Sequence, residues 1–185
     1  MKKYLLYLII TLLTVTDGCK CGSGGDNGAV TPSAAIPEVK IGVTNPVNMG
    51  DFSLTVDISD VLNAAGIYFR LYFDPKNIQV KDKNKPVNSV EEGLFFNQGG
   101  ITTSLMVNFL DQNPDTGCLI IGLSRAGGKT GITGSGNILK FTFTTITAGT
   151  TSVKFTETAS DNSLFTPELE NISSVKWTNA EVIVK

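Results

Sequence analysis

Gly66-Ile67-Tyr68-Phe69-Arg70-Leu71-Tyr72-Phe73-Asp74-Pro75 is the stretch on which the fold assignment turns. Successive side chains of a strand point to opposite faces, so a period of two sorts these residues. Ile67, Phe69, Leu71 and Phe73 fall on one face and form a core stripe. Tyr68, Arg70 and Tyr72 fall on the other, as two aromatics flanking a guanidinium, the residue types enriched at protein-binding hot spots. Asp74-Pro75 ends the strand, because proline lacks a donor and fixes its own φ. The stretch predicts an all-β domain with Tyr68, Arg70 and Tyr72 on a candidate binding face.

The same alternation recurs on both sides of it. Val39–Val43 is a first strand. After the turn Met49-Gly50-Asp51, Phe52, Leu54, Val56 and Ile58 alternate with Ser53, Thr55, Asp57 and Ser59. Residues 60–65 read as a short link. Ile78–Lys81 and Gly93–Phe96 are short strands, separated by a charged loop. Leu105, Val107 and Phe109 alternate with Ser104, Met106 and Asn108. Asp111–Gly117 reads as a turn, and Cys118–Ser124 as a central strand. Ala126–Gly136 is glycine-rich and reads as a long loop. Leu139, Phe141 and Phe143 form the next stripe, then Val153 and Phe155. A polar loop holding Asp161 and Asn162 follows, and Val175–Trp177 and Ala180–Val184 close the chain. About nine short strands without a long helix predict a β-sandwich or jelly roll.

Composition narrows the function. The 185 residues carry a net charge of −2, and the basic grouping Lys81, Lys83 and Lys85 is interleaved with Asp82 and Asn84. This pattern gives nucleic acid no basic face to bind. The chain has no histidine, which excludes Ser-His-Asp and Cys-His catalysis and removes the commonest transition-metal ligand. Carboxylate catalysis stays open in principle, but Glu91, Glu92, Glu157 and Asp161 read as solvated charge. Asp111, Asn113 and Asp115 lack the glycine and terminal glutamate of an EF-hand loop and read as a polar turn. Gly127-Gly128-Lys129-Thr130 lacks the upstream glycine and the strand–helix frame of a phosphate loop. The expectation is a binding module with neither enzymatic activity, metal nor cofactor.

The N-terminal region reads as targeting. Lys2 and Lys3 precede an apolar run from Tyr4 to Val15, too short to span a bilayer. Thr16-Asp17-Gly18-Cys19 is similar to a bacterial lipoprotein box, although Thr16 stands where leucine is usual. Residues 1–18 are therefore read as a signal peptide, with Cys19 the lipid-bearing mature N-terminus. Ordinary secretion with cleavage nearby is the alternative. Residues 19–37 are rich in Gly, Ser, Ala and Pro and read as a tether. Residues 38–185 form the folded domain, outside the cytoplasm. Cys118 reads as a buried free thiol, and a Cys21–Cys118 disulfide is the alternative.

The order of these signals resembles a cohesin domain. The resemblance rests on Asn48-Met49-Gly50-Asp51 before the Phe52–Ile58 strand, and on Ala65-Gly66-Ile67 leading into Leu71-Tyr72-Phe73-Asp74-Pro75. It continues with Ile78-Gln79-Val80, Gly93-Leu94-Phe95-Phe96, Gly136–Phe143, and Ser152-Val153-Lys154-Phe155. It covers roughly residues 38–185. It implies a nine-stranded jelly-roll sandwich, a fold shared with a group of cellulose-binding modules. It also implies a dockerin-like partner, or another surface protein, gripped on a flat sheet face, with calcium held by the dockerin. The alternative on the same fold is direct contact with polysaccharide, for which Tyr68 and Tyr72 would supply stacking rings. Both readings leave the link to polysaccharide degradation as an expectation.

Overall fold

A computed structural model describes residues 35–127 and 129–185. The expected signal peptide, the lipid-bearing Cys19, Cys21 and nearly all of the tether lie outside them. The described chain is a sandwich of two six-stranded sheets. Its strands are β1 (Glu38–Val43), β2 (Asp51–Ala64), β3 (Gly66–Phe73), β4 (Ile78–Val80), β5 (Val90–Glu92) and β6 (Thr103–Asn113). They continue with β7 (Thr116–Arg125), β8 (Ile132–Thr145), β9 (Gly149–Phe155), β10 (Ser163–Phe165), β11 (Lys176–Thr178) and β12 (Ala180–Val184). The first sheet runs β11-β1-β2-β8-β4, with β5 also on β8. The second runs β12-β9-β3-β7-β6, with β10 also on β3.

Period-two burial explains the layering. In β3, Ile67, Phe69, Leu71 and Phe73 are buried, and Tyr68, Arg70 and Tyr72 are only partly covered. Leu54, Val56 and Ile58 of β2 and Leu139, Phe141 and Phe143 of β8 face them from the first sheet. Leu119, Ile121 and Leu123 of β7 complete the centre. Aromatic rings interlock in the core: Phe73 meets Phe143 of the other sheet edge-on at 5.1 Å, and Phe69 meets Phe155 of its own sheet at 5.5 Å. Such edge-on pairs contribute about 0.5–1.5 kcal/mol beyond the area they bury. Trp177 packs at an edge of this core, 4.9 Å from Phe155. Among the described residues the core runs from Val39 to Val184.

Several local expectations need correction. Among the described residues, twelve strand segments stand where about nine were expected, the surplus being mainly three-residue pieces at the sheet margins. Residues 60–64 are no link. They continue β2 through two irregularities at which Asp60 and Asn63 take φ of 56° and 54°, a conformation Asp and Asn tolerate better than most residues. The presumed loop 126–136 hides the start of β8, where Ile132 pairs with Ala64 and Gly134 with Val61. Glycine-rich strand pieces carry no apolar stripe to read. Gly93–Phe96 is a loop, not a strand. Gly93 N–H donates to Ile138 O at 2.7 Å and Phe95 N–H to Asn137 O at 3.0 Å. A Cβ on Gly93 would lie 2.2 Å from Asn137 O, so this approach needs glycine. The loop drops Phe95 and Phe96 into the core side by side. The polar segment after Phe155 contains β10, paired with Gly66–Tyr68.

Candidate binding face

The two outer faces of the sandwich differ in chemistry. The first sheet shows Ser53, Thr55 and Asp57 from β2, Lys40 from β1, and Lys140, Thr142 and Thr144 from β8. It is a polar, mixed-charge surface of the solvated kind. The second sheet brings Tyr68, Arg70 and Tyr72 of β3 opposite Gly122, Ile120 and Cys118 of β7. Those in turn stand opposite Met106, Asn108 and Leu110 of β6. Three strands thus present tyrosine, isoleucine, methionine and leucine in one contiguous field about 10 Å across at ordinary strand spacing. Met106 is 53% exposed and Gly122 beside it carries no side chain, which leaves that end of the field shallow.

The expected site residues are brought together, and Arg70 is their hub. Its Nε donates to Tyr68 Oη at 3.3 Å, and its Nη1 lies 3.3 Å from Asp161 Oδ2. The hydrogen bonds to Tyr68 and Tyr72, with Asp161 nearby, push its pKa further up, so the guanidinium stays charged. Asp161 offsets that charge locally, so the field is close to neutral at its centre.

Backbone support for this hub comes from a residue the sequence reading left in a loop. β9 pairs with Leu71 and Tyr72, and β10 pairs with Gly66–Tyr68, so the border of β3 at Arg70 is shared between two short strands. Asn162 fills the gap. Its Oδ1 accepts from Arg70 N–H at 3.3 Å and its Nδ2 donates to Thr156 O at 2.8 Å. Buried Asn162 thereby does the work of a missing ladder rung. Asp161 and Asn162, adjacent in sequence, hold the side chain and the backbone of the same arginine.

Cys118 is a buried free thiol beside Tyr72, and burial pushes its pKa up. Glu91 pairs with Lys140 at 3.1 Å, Glu92 accepts from Thr103 Oγ1, and Asp161 belongs to Arg70. These three side chains therefore serve separate surface contacts. Among the described residues, no group of three or more Cys, Asp or Glu side chains is placed to hold a metal ion.

Sandwich order, pairing and face chemistry can be set beside known structures. No family model matches the chain, and no curated protein matches it. Solved structures do. A non-cellulosomal cohesin from the archaeon Archaeoglobus fulgidus matches 82% of this chain and 92% of its own, with a TM-score of 0.58 at 14% identity. The fold is that of a cohesin. The second type II cohesin module of the adaptor ScaA scaffoldin from Acetivibrio cellulolyticus aligns with a TM-score of 0.63 at 14% identity, covering 80% of this chain and 90% of that one. The chain matched in a type I cohesin–dockerin complex from Clostridium thermocellum aligns at 0.61 and 13% identity, over 82% of this chain and 100% of that one. At such identities the likeness extends to the cohesin fold and leaves the side chains of the face to be read on their own.

Sequence reasoning missed Ile120, Leu110 and Asn162. Ile120 was hidden inside Cys118–Ser124, whose near-uniform apolarity conceals which residues face outward. An outward isoleucine opposite an outward arginine was the available signal, once β3 and β7 were known to be neighbours.

Proposed function

We propose that this chain is a non-catalytic docking module that holds a dockerin-like protein through the outer face of its second sheet. The observation that carries the reading is the contrast between the two outer faces: one is solvated threonine, serine and lysine, the other a level field of Tyr68, Tyr72, Ile120, Met106 and Leu110 around a neutralised Arg70. Flat aromatic and aliphatic surface with a central arginine suits protein recognition. The cohesin fold supports the same reading, since relatives of that fold are crystallised with dockerins. In this reading a lipid on Cys19 holds the module to the cell envelope, with the docking face outside the cytoplasm.

The test is titration of the domain with a panel of type I and type II dockerins in calcium, with EDTA as control. One member should bind in calcium, and Tyr68→Ala, Tyr72→Ala and Ile120→Ala should each weaken it about tenfold or more, the ~1.4 kcal/mol or more of a hot-spot residue. Thr142→Ala on the opposite face should have no effect. Retention on insoluble polysaccharide with no dockerin bound would replace this reading by direct glycan binding, and unchanged affinity in all three face variants would move the site elsewhere.

A further inference from the structure

The second sheet has two borders, and the chain treats them differently. Along β12 the border is closed. Val47 N–H donates to Ile183 O and Lys185 N–H to Val47 O, both at 2.9 Å. Asn45 Oδ1 accepts from Ile183 N–H at 2.9 Å, and Asn45 Nδ2 donates to Glu181 O at 2.7 Å. Along β6 the border is open. Ala126 N–H donates to Thr102 O at 2.8 Å, which sets the phase of the β6–β7 ladder. Strand alternation then turns the backbone groups of Thr103, Leu105, Val107 and Phe109 away from β7. No described residue donates to or accepts from those outward groups. The turn at Pro86–Ser89 lies beside β6 without hydrogen-bonding to it, and leaves Val87 48% exposed.

Open borders are normally blunted by charge, proline or a bulge, because they template pairing with another chain. Residues 103–110 of β6, Thr-Ser-Leu-Met-Val-Asn-Phe-Leu, contain no charge and no proline, and the ladder stays regular as far as Asp111. Leu105, Val107 and Phe109 point inward yet stay half-buried, whereas the inward side chains of β3 and β7 from Ile67 to Phe73 and Leu119 to Leu123 are buried.

We propose that β6 is a self-association edge: two copies of this chain pair antiparallel through β6 about Val107 and join their second sheets into one. Residues opposed in an antiparallel ladder share a face, so a twofold pairing must centre on a single residue. Centred on Val107, the outward backbone groups of Leu105 meet those of Phe109, and Val107 meets its own copy, all in hydrogen-bonding phase. Met106 then faces Asn108, and Ser104 faces Leu110. No pair sets like charges opposite each other, and apolar Leu105 and Phe109 cover one another. This match in ladder phase, face and charge is what selects a second copy as the occupant. Both outer faces then point the same way, so the pair would present two docking fields side by side. The inference does not depend on the docking reading.

Sedimentation of residues 35–185 over roughly 10 µM to 1 mM, the range of small, weak interfaces, tests it. The mass should rise from monomer towards dimer, and Met106→Lys with Asn108→Lys should restore the monomer, since these exposed lysines would stand opposite one another. In a Met106→Cys, Asn108→Cys variant, mild oxidation should give a covalent dimer, because those positions oppose each other across the twofold. A monomer at every concentration overturns the proposal. So does a dimer that survives the lysine variant, or one whose cysteine variant fails to cross-link.

Discussion

Asn162→Ala is the perturbation that best separates packing from backbone accounting in this fold. Alanine removes little apolar volume, so an account based on packing alone predicts a small effect. The structure predicts more. Asn162 accepts from Arg70 N–H at 3.3 Å and donates to Thr156 O at 2.8 Å, from a buried position. Its loss leaves two backbone groups without partners beside the core, at about 1–3 kcal/mol each. The longer bond to Arg70 belongs at the low end, and the shorter one nearer the middle. Together they give a destabilisation of about 2–4 kcal/mol, larger than the ~1 kcal/mol of an average substitution. Urea unfolding of residues 35–185 should show a lower midpoint with an unchanged slope. Hydrogen exchange should show the Arg70 amide losing protection, while Phe69 and Leu71 change less. A loss below about 0.5 kcal/mol, or unaltered protection at Arg70, would refute the claim that this side chain substitutes for a ladder rung.

Two further outcomes follow from other contacts. Gly117 lies beneath the Phe73 ring, and a Cβ there would sit 2.6 Å from two of its carbons. Gly117→Ala should therefore cost about 1–3 kcal/mol by overpacking, read as a fall in the urea midpoint that Phe73→Leu partly relieves. The stability of the domain should also fall in acid. Glu38 is held below its ordinary value of 4.5 by Thr178 and then Lys176, Asp51 below 3.8 by Lys81 and then Thr144, and Asp82 below 3.8 by Asn88 and the Lys85 N–H. A carboxyl with a lowered folded pKa stabilises the fold above its unfolded value and loses that contribution as pH falls through the folded one. Tm should thus stay level near neutrality and drop below about pH 4. Glu38→Gln with Asp51→Asn should flatten that drop, and an unchanged acid slope in the double variant would show that these groups do not drive it.

How much was legible in the chain depended on side-chain contrast. β3 could be read residue by residue because large apolar and polar side chains alternate without a break, and its outward triad is where the structure places it. The sandwich itself followed from the repetition of that pattern. The first part of β8 could not be read, since Gly134 and Gly136 leave its inward positions empty. Phe95 and Phe96 read as the end of a short apolar strand, yet both are buried side by side from a loop. The rest of the candidate face was hidden for a different reason. Which strands lie next to β3 is a matter of topology, and no local pattern in β7 or β6 announces that Ile120 and Met106 share a surface with Tyr68.

The first strand and the last pair run side by side in the same direction. Glu38 stands against Lys176, Lys40 against Thr178, and further along Val47 against Val184. Tension applied to the chain's two ends would draw these segments past one another lengthwise. Their cross-links would then be strained together and would have to yield together, instead of opening one after another as in a zip. A module pulled by its two ends would carry the load through this seam, so the geometry that closes the sandwich also equips it to resist being pulled.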